Sequence, residues 1–259
     1  QDRMNNAFIK TLIDRAAAPY RATGRFAWHF ARGKLGGDPV FAGLLQHGLI
    51  PGNARILDIG CGQGLLASWL LSAKALHDKG QWPAHWPAAP APRAIHGIEL
   101  MPRDVARAQT ALASQSGIVT FAAGDMCQAQ FGEACMDVVV ILDVLHYVGI
   151  AKQNDVLRRV RDALTPAGTL ILRVGDASAG VPFHVSVWVD HVVTFLRGHR
   201  NRHLHCRTLA AWRDVLSGLG FTVNTLPMHK GTPFDNVLLI AKLGQNRPSE
   251  RPVAPNDNT

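Results

Sequence analysis

The stretch Asp58-Ile59-Gly60-Cys61-Gly62-Gln63-Gly64 places glycines at alternate positions between an apolar run and a helix-like segment. Glycine is required where the backbone takes unusual dihedrals, and where a ligand must approach with no Cβ in the way. The spacing is Gly-x-Gly-x-Gly, not the Gly-x-Gly-x-x-Gly of dinucleotide binding. It suits a ligand that brings no pyrophosphate to the helix N-terminus. Asp58 leads the turn from inside the end of its strand. Three more acids follow at the ends of successive strand-like runs: Glu99 in Ile95–Leu100, Asp125 after Phe121, and Asp143 in Val140–Tyr147. Singly, each could be a helix cap or a solvated turn. Four in chain order, each at a strand exit, point instead to one binding edge, because open α/β sheets bind ligands there.

The elements that must position these residues alternate. Strands are predicted at 55–59, 94–99, 118–122, 136–142 and 169–174, with helices at 64–77, 102–115 and 151–164. Such alternation implies a parallel sheet covered on both faces. The run Asp137–Leu142 is apolar on both faces, as a central parallel strand should be. Thr208 caps a helix to Leu219, and strands 221–226 and 236–242 form an antiparallel hairpin that closes the sheet. The fold class is therefore α/β, a doubly wound, mostly parallel, seven-stranded sheet. Ahead of it, residues 1–50 read as a helical cap or lid. Helices are expected at 4–18 and 21–31, then a glycine-rich turn Arg32–Gly37, then a helix from Asp38 as N-cap to about His47. The sheet domain spans 51–243. It carries an inserted loop at 78–93, rich in proline and tryptophan, and a variable segment at 176–205. Residues 244–259 read as a polar tail.

With 259 residues, 47% hydrophobic and 18% charged, the composition is that of an ordinary globular protein large enough to bury a substantial core. No run approaches the roughly 18 apolar residues of a membrane span. The chain begins at Gln1 without a signal-peptide pattern, and its four cysteines lack CxxC spacing, so reduced thiols in a cytoplasmic protein are expected. A net charge of +8 admits nucleic acid, an anionic surface or an acidic protein as partner. The one dense basic cluster is Arg197, His199, Arg200, Arg202, His203 and Arg207. Metal ligation by His199, His203 and His205 is a weaker reading than a basic loop or helix end.

On the glycine turn and the four acids, residues 54 to 243 resemble the class I methyltransferases. The resemblance implies S-adenosylmethionine as cofactor, leaving as S-adenosylhomocysteine. Gly60, Cys61, Gly62 and Gly64 would cradle its methionine part, with the thioether portion over the turn, and Asp58 would orient the amino group. Glu99 would take both ribose hydroxyls, with Leu100 and Met101 lining the adenine. Asp125 would meet the adenine amino group, and Met126 would supply a backbone N–H and an apolar wall. Asp143 would lie beside the sulfonium.

Absences narrow the acceptor. No Asp/Asn-Pro-Pro-aromatic sequence follows the fourth strand, which argues against an exocyclic base amine. No Pro-Cys pair offers a cytosine nucleophile, and Val174-Gly-Asp-Ala177 lacks the Asp-Asn pair of metal-dependent catechol enzymes. The phrases Gly33–Phe41, Gly97–Asp104 and Gly231–Asn236 are similar to methyltransferases of bacterial aryl polyene and xanthomonadin-type pigment clusters. That similarity implies methylation, at oxygen or ring carbon, of a hydroxyphenyl head group that is either small and free or borne by an acidic acyl carrier protein. A nucleic-acid (RNA) methyltransferase is the alternative. A phenol needs a base with a pKa near working pH, which histidine supplies unaided. His146, just past Asp143, is the first candidate. Tyr147 would orient the acceptor, and His184 and His191 are second candidates.

Overall fold

The computed structural model describes residues 2–175, 205–228 and 236–244. The strands are β1 (Arg55–Ile59), β2 (Ala94–Glu99), β3 (Val119–Ala123), β4 (Met136–Leu142), β5 (Leu164–Gly175), β6 (Phe221–Pro227) and β7 (Asn236–Leu243). They form one seven-stranded sheet in the order β3-β2-β1-β4-β5-β7-β6. All neighbours are parallel except β7, which runs antiparallel to β5 and β6. The expected hairpin is present, with β7 inserted between β5 and β6. The order reverses between β1 and β4, which opens a crevice at their carboxyl ends.

Alternation along the strands sorts the core into two layers. Ile56, Val138, Val140 and Ile171 face one cluster, and Leu57, Val139, Ile141, Leu170 and Leu172 face the other. The second layer is sealed by helices α6 (Ile150–Ala163) and α7 (Leu209–Gly218), through Val156, Leu157, Val160, Trp212 and Leu216. The first layer takes α4 (Leu65–His77) and also the N-terminal helices α1 (Asp2–Ala17), α2 (Arg25–Gly37) and α3 (Pro39–Gln46). Helix α5 (Pro102–Ala111) flanks β2 and β3. Residues 1–50 thus share a core with the sheet: Leu12, Ala16, Tyr20, Leu35, Val40 and Leu44 belong to the same cluster as Ile56 and Val140.

One local expectation is overturned. The glycine-rich turn at Arg32–Gly37 is helix, because α2 starts at Arg25 and continues through Gly33, Gly36 and Gly37. Residues Ala18–Thr23 form a 3-10 segment instead of the start of that helix. Glycine costs roughly 1 kcal/mol in a helix interior. The buried stripe Ala27, Ala31 and Leu35 outweighs that cost, and Gly36 passes close to Ile13 of α1. The helix stops where Pro39 bars its predecessor from helical dihedrals. Asp38 then caps α3, its carboxylate accepting from the Val40 N–H at 3.1 Å. The helix expected over 102–115 ends at Ala111, and Ala113–Gln115 form a 3-10 turn.

The inserted loop at 78–93 is packed. Trp82 and Trp86 meet edge-to-face at 5.5 Å, and both meet Phe8 of α1 edge-to-face, at 5.5 and 5.3 Å. The Trp82 indole N–H donates to the Pro87 carbonyl at 2.9 Å. The loop is therefore a clasp on α1. Replacing Trp86 by Ala is expected to cost about 3–5 kcal/mol of folding stability. Urea unfolding should show a lower midpoint at an unchanged slope. A loss below about 1 kcal/mol would mean that loop and helix are energetically separate.

Candidate active site

The turn after β1 is tied to the end of β2, since the N–H groups of Gly60 and Cys61 both donate to the Ile98 carbonyl, at 2.8 and 3.2 Å. Its glycines are left-handed for different reasons. A Cβ on Gly60 would sit 2.6 Å from Val144, and one on Gly64 would sit 2.7 Å from the Phe121 ring. At Gly62 (φ +54°) a Cβ would meet nothing within 4 Å, so this glycine faces the open side of the cradle. Cys61 is buried, and burial, reinforced by Asp58, pushes its thiol far above the usual range. It is part of the wall and no nucleophile.

The N-terminal segment is built into this turn. The buried Tyr20 hydroxyl donates to the Gln63 carbonyl at 2.9 Å, and the Gln63 side-chain amide donates back to the Ala27 carbonyl at 3.2 Å. Ser68 Oγ donates to Ala16 O at 2.6 Å, and the Trp69 indole N–H donates to Phe41 O at 2.8 Å.

The sheet order places the acids along one carboxyl edge, Asp125, Glu99, Asp58 and Asp143, and the structure gives each a different situation. Asp58 is only 4% exposed and has no hydrogen bond or ion pair among the described residues. Burial, with Glu99 nearby, raises its carboxyl to about 7. Glu99 accepts the Gly62 N–H on one oxygen at 3.0 Å and the Met101 N–H on the other at 2.9 Å. Burial raises its pKa, and these bonds oppose the rise. With its oxygens so oriented, its free lone pairs suit two neighbouring hydroxyls. Leu100 beside it is 49% exposed. Asp125 caps its own turn, accepting the Cys127 N–H at 2.8 Å. The Met126 carbonyl accepts from Arg159 Nη2 at 2.8 Å.

Asp143 departs from the sequence expectation in its partner. Its residue is left-handed (φ +58°), and both its oxygens accept from Arg173 of β5, Oδ1 from Nε at 2.7 Å and Oδ2 from Nη2. The same guanidinium grips Asp38 through Nη1 and Nη2, the latter at 2.7 Å. Lys34 Nζ lies 2.5 Å from Asp38 and 3.9 Å from Asp143. Burial works against the Asp38 anion, but the Arg173 fork and Lys34 hold its carboxyl well below the usual range. A carboxylate so paired has little charge left to offer a sulfonium. Sequence reasoning missed Lys34, Asp38 and Arg173 as a site, although an arginine inside the apolar run Leu170–Val174 was a readable signal, since arginine is almost never buried unpaired.

His146 and Tyr147 occupy a 3-10 turn (Leu145–Tyr147) just past Asp143, their rings 4.3 Å apart. Burial lowers the imidazole pKa, which favours the neutral ring, and Asp143 opposes this. Burial keeps the Tyr147 hydroxyl protonated by raising its pKa. The His146 carbonyl accepts the His205 N–H at 2.9 Å, which pins the chain's return beside the β4 exit. His184, His191 and the cluster residues Arg197 to His203 lie outside the described residues, as do most of Gly231–Asn236 and of the tail. Arg207 is taken up within the fold. It donates to Gln153, Asn154 and the Ile150 carbonyl, and stands 5.1 Å over the Trp212 ring.

The sheet order, the antiparallel β7 and the glycine turn at the switch point define the class I methyltransferase fold. Residues 57–170, somewhat under half of the chain, match the family model described as a methyltransferase domain. The YcgJ protein from Bacillus subtilis is similar at 14% identity, with 80% of this chain and 98% of that one covered and a TM-score of 0.54. Magnesium protoporphyrin IX methyltransferase from Synechocystis PCC 6803, with bound S-adenosylhomocysteine, is similar at 22% identity (85% and 88% covered, TM-score 0.52). An O-methyltransferase family protein from Burkholderia thailandensis is similar at 16% identity (88% and 63% covered, TM-score 0.58). At these identities the likeness is one of fold. A search of curated proteins returned no match.

Asp58 has a consequence for stability. Its carboxyl titrates near 7 in the folded chain against 3.8 as the ordinary value, so the folded chain keeps a proton the unfolded chain releases. Stability therefore falls as pH rises from about 4 to 7, and the deficit is complete above 7. Asp58→Asn should remove a penalty on the order of 4 kcal/mol at pH 8 and little at pH 4. Urea unfolding of the ligand-free chain at the two values checks this. An equal effect at both would show that Asp58 is ionised throughout.

Proposed function

We propose that this chain transfers a methyl group from S-adenosylmethionine to a hydroxyphenyl acceptor, with His146 taking the acceptor's proton. The observation that carries the reading is Asp58, a buried carboxyl with no partner among the described residues, near the second carboxylate Glu99 at the end of the strand that leads into the glycine turn. Such a pair favours a ligand that brings positive charge, and the cofactor's ammonium and sulfonium do so. Asp58 holds the ammonium and Glu99 the ribose hydroxyls. Gly60, Gly62 and Gly64 leave room for the methionine chain, and Leu100 and Met101 flank the adenine. Asp125, whose Oδ2 is engaged by the Gln128 amide at 3.5 Å, would meet the adenine amino group beside the Met126 N–H. The methyltransferase-domain match over 57–170 supports the same cofactor, as does the neighbour that holds S-adenosylhomocysteine.

S-adenosylmethionine supplies an electrophilic methyl on a sulfonium; the acceptor oxygen or ring carbon bonds to it as the S–C bond breaks and its electron pair stays on sulfur. The chain's part is alignment and proton removal. A neutral imidazole at the β4 exit accepts the phenolic proton on a ring nitrogen, and the protonated Tyr147 hydroxyl donates to the acceptor. Aromatic surface supports the acceptor class. Phe26 is 55% exposed and lies nearly parallel to Phe30 (6.4 Å, 21°), on the helix whose Lys34 reaches Asp143. The similarity of Gly33–Phe41 and Gly97–Asp104 to the pigment-cluster enzymes supports it too. An acidic carrier protein would complement the +8 net charge, though not through Arg207. Free cysteines throughout fit a reducing cytoplasm, and no helix among the described residues is long and apolar enough to cross a membrane.

Calorimetry with S-adenosylhomocysteine should give clear binding to the wild type. It should also show a loss of about 3–6 kcal/mol in Glu99→Ala, from two charge-assisted hydrogen bonds of about 1.5–3 kcal/mol each. Unchanged affinity would defeat the cofactor assignment. Mass spectrometry of methyl transfer over hydroxybenzoyl compounds, free and carrier-bound, identifies the acceptor. On that acceptor His146→Ala should lose about 10²–10⁴ in turnover with cofactor affinity near wild type. Full turnover in this variant would remove His146 from the mechanism.

A further inference from the structure

Arg173 is the charged residue that the cofactor and the base leave unexplained. It sits in the middle of the sheet, opposite Leu142 of β4 and Leu238 of β7, between the buried Leu172 and Val174, and is only 3% exposed. Its donors face two carboxylates at once. Nε and Nη2 take the two oxygens of Asp143, and Nη1 and Nη2 take the two oxygens of Asp38. With Lys34 bridging the same two acids, the group holds two cations and two anions.

The partners lie far apart in sequence and serve different segments. Asp38 ends α2 and caps α3, 135 residues from Arg173. Asp143 makes the left-handed exit of β4. The next residue, Val144, packs on Gly60 of the cofactor turn, and the turn after it carries His146. A guanidinium is suited to this, because its planar fork matches two carboxylates in fixed directions, whereas an ammonium is a single point of charge.

We infer that Arg173 is a positioning residue for the methyl transfer proposed above, locking the α2–α3 junction to the β4 exit and drawing the Asp143 charge away from His146. The inference rests on that functional reading for its purpose, while the geometry it invokes stands independently. The charge that acts on His146 is that of Asp143 at the strand exit, itself paired with Arg173 on β5 and Lys34 on α2, while Tyr147 lies beside the ring and His205 bonds to its carbonyl. With Asp143 engaged by the fork, His146 keeps the neutral form that a base requires. With the fork gone, Asp143 keeps only the Lys34 ammonium, 3.9 Å away, and its charge would act more fully on the imidazole and stabilise the protonated form.

The test is an NMR titration of the His146 imidazole, assigned by comparison with His146→Ala, with S-adenosylhomocysteine affinity measured in parallel. Arg173→Met alone would strand the buried Asp38 carboxylate and unpair the half-buried Asp143, so it is combined with Asp38→Asn, which keeps the cap on α3. In this double variant the His146 titration should move upward from wild type. Arg173→Lys should give a smaller upward move, since one ammonium satisfies one acid at a time. Asp143→Asn keeps Arg173 paired with Asp38 and removes the charge that raises the His146 pKa, so His146 should then titrate somewhat below wild type. An unmoved His146 in a folded double variant, or a rise in Asp143→Asn, would overturn the inference. Failure of the wild type to bind S-adenosylhomocysteine would instead sink the functional reading and leave the titration result standing.

Discussion

The carboxyl edge of the sheet carries charge that its sealed faces cannot relieve, and how each charge finds a counterpart organises the molecule. Asp143 and Asp38 meet Arg173, a satisfied group that needs nothing from outside. Glu99 is held by two backbone N–H groups. Asp58 alone of these acids has no internal partner among the described residues, and burial raises its carboxyl to about 7. Removing a carboxylate from water without a partner is costly. A chain that keeps one in this state stores an affinity for a cation at that place, two residues before Gly60, the first glycine of the turn.

That demand explains why the N-terminal helices are more than a cover. The cradle is shaped by backbone, and backbone is held by what bonds to it. Tyr20 donates to the Gln63 carbonyl and the Gln63 amide donates to Ala27, joining the N-terminal segment to the turn, while Ser68 and Trp69 secure α4 against α1 and α3. The aromatic loop at 78–93 then clasps α1 from outside. The helices that would border an acceptor are therefore joined to the cofactor turn by a continuous packed layer. A shift at one is felt at the other, because well-packed interiors transmit strain.

Charge placement also separates roles that sequence alone had merged. Asp143 and Asp58 both stand at strand ends beside the turn, yet one is neutralised by an arginine fork and the other awaits a ligand. His146, three residues beyond Asp143, gains from the first arrangement. Burial favours its neutral form, against the pull of Asp143, whose carboxylate is engaged by Arg173.

The sequence by itself determined the strands, the glycine turn and the order of the acids along the edge. These are written in local pattern, as in the apolar run Asp137–Leu142, the alternate glycines at 60, 62 and 64, and the Asp38-Pro39 helix start. Such signals arise from dihedral preference and hydrophobic period, which act over a few residues. Two features were decided only in three dimensions. Helix α2 continues through three glycines because the burial of Ala27, Ala31 and Leu35 outweighs a local preference for a turn. Among the described residues Asp143 is paired and Asp58 is not, because the Arg173 guanidinium rises from β5, a neighbour of β4 in the sheet but not of β1. Ion pairing depends on distances between segments 30 and 135 residues apart, and no local pattern carries that information.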